Sequence, residues 1–176
     1  MRVGRWYAMA FLSVSVFLSG SSSDIWLSAQ ESSGPPVRRP PWPCRLVVKP
    51  TLLDVVVDGF KRSPTLQGQC DELAAAGAVV ALQWGTTDSQ SRAISHMGLR
   101  DGVVVAWVHI PPVPEAIEHV GHELQHVLEK VHGLDFAAEA KRPGSGVWRA
   151  FGGFETQAAI DAGRQVAREV RESKRR

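Results

Sequence analysis

The sequence predicts an α+β domain, with a short sheet packed on one amphipathic helix and a second long helix at the C-terminus. Three observations lead there. Val103 to Ile110 is a run of β-branched and aromatic residues between Asp101-Gly102 and Pro111-Pro112, which is the composition and punctuation of a strand. Beyond Pro114, the apolar residues Ile117, Val120, Leu124, Val127 and Val131 recur at threes and fours, as on one face of a helix. Phe154, Ala158, Ala162 and Val166 then repeat every fourth residue, and small Ala158, Ala159, Ala162 and Gly163 allow that last helix close approach to another.

The chain of 176 residues suits one domain with room for a core. Its formal charge of +2 is too thin to imply a polyanionic partner, and the basic residues gather in the tail at Arg171, Lys174, Arg175 and Arg176. No stripe of aromatic and basic residues offers a stacking platform, so nucleic acid is not expected as a partner. Residues 1–29 have the order of a secretory signal: Arg2 and Arg5, an apolar run from Trp6 to Leu18, then small polar Gly20 to Ser23, with Ala29 before Gln30. Cleavage after Ala29 and cleavage near Gly20 both fit. The apolar run is short for a bilayer span, so no stable membrane span is expected in the mature domain. A secreted or periplasmic protein is expected, associated with a membrane if the segment is retained.

Residues 30–43 are rich in Pro, Ser, Gly and Arg and read as a linker. The folded domain is expected over 44–176. Thr51 to Phe60 has apolar residues at 52, 53, 56, 57 and 60, a helical pattern interrupted by the β-branched run Val55 to Val57. Ser63-Pro64 marks a helix start, since Ser caps and Pro fits the first helical position; that helix should stop at Gly77. Ala78 to Trp84 reads as a strand, Gly85 to Ser91 as a loop, and Arg92 to Leu99 is ambiguous, with a strand one option. Asp101-Gly102 is a turn before the strong strand, and Pro143 to Gly146 breaks the chain before the last helix, expected from Phe154 toward Arg171. Cys44 and Cys70 lack a metal-site spacing; a disulfide and two separate buried thiols are both open, and a bridge would tie the first helical region to the second.

The chemistry lies in Gly121-His122-Glu123-Leu124-Gln125-His126-Val127, which contains His-Glu-x-x-His. Two histidines four apart on a helix sit one turn from each other and point the same way. Imidazole is a good zinc donor, and Glu123 is placed to take a proton from an attacking water. His122 and His126 lie off the apolar stripe, with Glu118 and Glu129 roughly in line with them.

A catalytic zinc site usually has three protein ligands and an open position. The candidates for the third are His132, Asp135, Glu139, Glu155 and Asp161. His132 fits the outer spacing of His-Glu-x-x-His-x-x-Gly-x-x-His, but Glu129 stands where that pattern has glycine, and no methionine follows His132. A helix continuing through Glu129 would carry His132 about 1.5 Å per residue away from the metal. Glu155, at the expected start of the last helix, is favoured over a first-turn glutamate that merely complements the helix dipole.

The motif resembles that of zincin metallopeptidases in the gluzincin arrangement, with His-Glu-x-x-His on one helix and Glu on the next. Arg62-Ser63-Pro64-Thr65, Gly121 to Glu129 and Phe154-Glu155-Thr156 are also similar to a group of small bacterial proteins of uncharacterised function, over about Arg62 to Val170. The resemblance implies a small zincin-like domain and a zinc-dependent peptidase. In it His122, His126 and Glu155 bind zinc, Glu123 is the general base, and a peptide or protein is the substrate, laid along a strand edge at Val103 to His109. Two departures stand out: the domain is small, and no Asn-Glu-x-x-x-Ser-Asp pattern surrounds Glu155. The one tyrosine, Tyr7, lies in the signal-like segment, so His132 or Arg149 would have to steady the oxyanion. The alternatives are a non-catalytic, zinc-stabilised structural or peptide-binding protein, its site closed by Glu129, His119 or His132, and a non-peptidase hydrolase using the same metal.

Overall fold

The structure, a computed structural model, describes residues 41–85, 93–150 and 152–176. The signal-like segment, Tyr7 and most of the linker lie outside the described residues, as does most of the expected loop after Gly85. Strand β1 (Arg45–Val48) leads into helices α1 (Pro50–Arg62) and α2 (Pro64–Ala75). Strands β2 (Val79–Trp84), β3 (Ile94–Arg100) and β4 (Val103–Ile110) follow, then helix α3 (Ala116–Val131) and the single turn α4 (Phe136–Glu139). A hairpin of β5 (Val147–Ala150) and β6 (Gly153–Thr156) precedes the last helix, α5 (Gln157–Arg175). The architecture is α+β, as expected.

The main sheet has the order β1-β2-β4-β3, with β1, β2 and β4 parallel and β3 antiparallel to β4. The β3–β4 connection is the two-residue turn Asp101-Gly102, both with positive φ (52° and 78°), which matches the twist of a hairpin. Val80, Leu82, Val104, Ala106, Val108 and Ile110 point one way and are buried against the helices, while Val47 and Trp107 on the other face are exposed. Among the described residues no helix is long and apolar enough to cross a membrane.

The sheet order corrects one expectation. β4 is flanked on both sides by β2 and β3, so its main chain offers no free edge. Its apolar composition, the feature that made it so plain in sequence, belongs to an interior strand. Among the described residues, the unpaired edge nearest α3 is that of β3, over the stretch that was ambiguous.

Ser63 caps α2, accepting from the Leu66 amide at 3.0 Å, and Gly77 (φ 66°) ends the helix by taking the left-handed conformation. The Ser63-Pro64-Thr65 motif is therefore structural. Ser63 Oγ and Thr65 Oγ1 also donate to Glu169 of α5, at 2.5 and 2.8 Å. Cys44 and Cys70 are bonded. The bridge ties the segment before β1 to α2, rather than the first helical region to the second. Closing a loop across a separation of 26 residues is worth about 3–4 kcal/mol in the chain-entropy model. Trp42 packs edge-on to Phe60 nearby, their ring centres 5.9 Å apart.

Helices α3 and α5 cross closely, and two glycines permit it. A Cβ on Gly121 would lie 2.6 Å from Val166 Cγ2, and one on Gly163 would lie 2.8 Å from the Glu118 carbonyl oxygen and 3.0 Å from His122 Cβ. Of the small residues foreseen on α5, Ala159 and Gly163 are buried, Ala162 is half-buried and Ala158 is exposed. The buried face therefore runs through Ala159, Gly163, Val166 and Val170 rather than Phe154, Ala158 and Ala162. The contact at Gly163 falls beside His122.

Two helix starts differ from expectation. α3 begins at Ala116 rather than Pro114, after a tight turn in which the Ala116 amide donates to the Val113 carbonyl. α5 begins at Gln157 rather than Phe154, because Thr156 is its N-cap, accepting from the Ala159 amide at 3.0 Å. Phe154 and Glu155 belong to β6, whose pairing with β5 places Glu155 opposite Trp148.

Candidate metal centre

α3 presents His122 and His126 on the side facing β6, while Val120, Leu124 and Val127 are fully buried beneath. The ring centres of the two histidines are 4.9 Å apart. Each Nε2 lies 3.2 Å from the same oxygen, Glu155 Oε1. The donor atoms of His122, His126 and Glu155 all lie within 4.8 Å of one another, so the group could hold a metal ion. Two imidazoles and one carboxylate converging from two elements suit a borderline divalent cation. Among the described residues no further His, Cys, Asp or Glu joins this group.

Glu155 therefore comes together with the two histidines as foreseen, but from a strand end rather than from a helix. Glu123 is buried, 4% exposed, and borders the same cleft without joining the donor group. The remaining candidates for a third ligand fall elsewhere. His132 caps the C-terminus of α3, 61% exposed, and lies 3.6 Å from Glu72. Asp135 caps α4, Glu139 pairs with Arg142, and Asp161 accepts from Gln157.

Electrostatics separates the two carboxylates. Burial pushes the Glu123 carboxyl above its ordinary value, although the flanking histidines and a hydrogen bond with Ser95 partly offset this. Burial acts the same way on Glu155, but contacts with His122 and His126 and the Thr156 amide at 2.8 Å outweigh it and hold Glu155 well below the carboxylate range. For His126, burial works downward, while hydrogen bonds to Glu129 and Glu155 and the charge of Glu123 win, raising it to about 9. Three carboxylates around two imidazoles thus make a place that favours positive charge.

Glu129 had been weighed as a departure from a glycine and as a closing ligand. It is neither a break in the helix nor a member of the donor group. Its Oε2 lies 2.9 Å from His126 Nδ1, on the ring edge away from Glu155, and its Oε1 accepts from Thr156 Oγ1 at 2.6 Å. Its position three residues after His126 puts the two side chains on one helix face, the one signal in the sequence that could have found it.

The cleft over the centre has a volume of about 780 Å³. One wall is the edge strand, Ile94 to Met97; the other is Phe136 with Gly152, Gly153 and Phe154 of the hairpin. Arg149 lies over the Phe154 ring at 5.4 Å, and Phe154 stacks on Phe136, which meets His126 edge-on at 6.0 Å. Neither Arg149 nor His132 borders the cleft. His119 and Arg164 do, and sequence reasoning had not singled out Arg164. Burial, and then the charge of His122, lower the His119 pKa, which keeps that ring neutral near pH 7. Comparison with protein-family models, with curated proteins and with solved structures finds no match for the chain.

Proposed function

We propose that this chain is a zinc-dependent metallopeptidase, with His122, His126 and Glu155 as ligands and Glu123 as general base. The observation that carries this is the position of Glu123. It is buried, borders the cleft, and stands beside the donor group without belonging to it. Three protein donors leave room for water and substrate, the open arrangement of catalytic rather than structural zinc sites. Zinc, when bound, would supply Lewis acidity and a water of lowered pKa. Glu123 takes a proton from the attacking water and returns it to the leaving nitrogen. Burial raises its proton affinity above that of an ordinary carboxylate, which suits a group that must both accept and give back a proton.

The substrate in this proposal is an extended peptide. It pairs through its main chain with the free edge of β3, opposite the glycines of the hairpin. Among the described residues, His119 and Arg164 at the cleft are the donors available for the oxyanion. A secreted or periplasmic location accompanies this function, and the Cys44–Cys70 bond supports it, since such bonds persist in oxidising compartments.

The test is zinc-dependent cleavage of an unbiased peptide library by the wild type and by Glu123→Gln. The variant should keep its zinc and fold and lose roughly 10²–10⁴-fold in rate. Equal cleavage by both would remove Glu123 from the chemistry. A wild type that binds zinc and cleaves nothing would favour a structural or peptide-binding protein.

A further inference from the structure

We infer that Glu129 is the positioning residue of this centre: one carboxylate fixes the ring of His126 and, through Thr156, the strand that carries Glu155. The inference rests on the metal centre proposed above and assigns its preorganisation to residues outside the ligand set.

Both oxygens of Glu129 are used. Oε2 faces His126 Nδ1 at 2.9 Å, and Oε1 accepts from Thr156 Oγ1 at 2.6 Å. Thr156 Oγ1 in turn accepts from the Ala159 amide at 3.0 Å, and the Thr156 amide donates to Glu155 Oε1 at 2.8 Å. Most of this chain of contacts is buried: Glu129 is 9%, His126 5% and Thr156 2% exposed. A buried carboxylate is costly unless its lone pairs are satisfied, so this geometry is strongly specified. Holding Nδ1 as the donor leaves the Nε2 lone pair of His126 free for a cation, and the nearby negative charge makes that nitrogen a better donor.

The same residue explains the choice of third ligand. α3 continues through Glu129 to Val131 and leaves His132 at its exposed end. A glycine at this position would favour an early turn; a glutamate extends the helix and reaches across to β6. His126, Glu155 and the first turn of α5 thereby become one hydrogen-bonded unit.

The experiment is a zinc competition titration on the full chain, with the visible absorption spectrum of the cobalt-substituted protein as a second readout. Outer partners of ligating histidines command about 10–100-fold in metal affinity. Glu129→Ala should lose affinity in that range and shift the cobalt spectrum, while Glu129→Gln, which keeps the shape without the charge, should lose less. Thr156→Val should weaken binding, and Thr156→Ser, which restores the hydroxyl, should recover it along with the wild-type spectrum. Wild-type zinc affinity and an unchanged cobalt spectrum in Glu129→Ala would overturn the inference and leave the ligand set intact. Should Glu129→Ala fail to fold, wild-type affinity and spectrum in Glu129→Gln would overturn it equally. A wild-type chain that takes up neither zinc nor cobalt would overturn the centre itself, and this inference with it.

Discussion

The crossing of α3 and α5 and the β5–β6 hairpin both supply the site, but they are held by different forces. His122 and His126 ride on a helix whose other face is sealed into the core by Val120, Leu124 and Val127, and whose contact with α5 depends on Gly121 and Gly163. Glu155 rides on a four-residue strand paired with another of four, in which Trp148, Arg149 and Gly153 are exposed. Its anchors are mainly polar, Thr156 to Glu129 at 2.6 Å and the Gln157 amide to the Gly146 carbonyl at 2.8 Å, with one aromatic stack of Phe154 on Phe136. An isolated two-stranded hairpin is marginal in water. Two of the candidate donors are therefore as stable as the fold, and the third is as stable as a handful of hydrogen bonds and one aromatic stack. A bound cation would be the clasp that joins the two.

The largest expected effect breaks the helical side. Gly163→Leu would drive a side chain against the Glu118 carbonyl and the Cβ of His122. Overpacking of this kind costs about 1–3 kcal/mol or more, so a melting curve should shift down by roughly 3–10 °C. Zinc binding should be lost with it, because His122 must move. The hairpin side should break differently. Glu155→Ala should lose more than the roughly 100-fold in zinc affinity that an outer partner commands, while the metal-free melting temperature at pH 7 falls only by what the contacts with His122 and His126 contribute. His132→Ala should leave zinc affinity unchanged, and the reverse ranking would restore His132 as a ligand.

A third prediction compares the two regions in a single sample. Hydrogen exchange in the presence and absence of zinc should show the amides of β5 and β6 protected by the metal. The change should be about 100-fold at a free concentration one hundred times the dissociation constant. Interior amides of α3 exchange through unfolding that also releases the metal, so they should slow by a similar factor but from a far slower metal-free rate. Metal-free exchange equally slow in both regions would mean that the hairpin opens only with the whole domain.

The difference between the regions also governs what could be read from the amino acids alone. Burial imposes periodicity, so α3 and β4 were legible; on α5 the expected stripe was off, because the buried positions are Ala159, Gly163, Val166 and Val170 while Ala158 is exposed. Glu155 was identified by excluding His132, but its element was misassigned. Phe154 and Ala158 happen to be four apart, and a four-residue strand has too few positions to display its own period. The free edge was misplaced for a related reason. An interior strand such as β4 is apolar throughout, whereas β3 carries His96, Gly98 and Arg100 and looks like nothing in particular. The spacing of Glu129 from His126 hinted at a contact, but its partners were not legible, because they depend on which edge of the His126 ring faces which neighbour.

A smaller effect concerns the clasp between α2 and α5. Burial is the largest single influence on Glu169 and raises its pKa, but donors from Ser63, Gln165 and Thr65 together outweigh it and hold the carboxyl below its ordinary value. A carboxylate with a depressed folded-state pKa stabilises fully above its unfolded value of 4.5, and that contribution is lost as pH falls through the folded value. Glu169→Gln should therefore lower the melting temperature at pH 7 by about 2–4 °C, on the order of 1 kcal/mol, and should narrow its gap to wild type below pH 4. Zinc affinity should not change, since this clasp lies on the helical side, away from the ligands.

The most direct measurement is anomalous diffraction at the zinc absorption edge from crystals of the zinc-loaded protein. One peak is predicted, bonded to His122 Nε2, His126 Nε2 and a carboxylate oxygen of Glu155, with Glu129 against His126 Nδ1 and not on the metal. A peak ligated by His132, a fourth bond from Glu129, or no peak at these histidines would contradict the account.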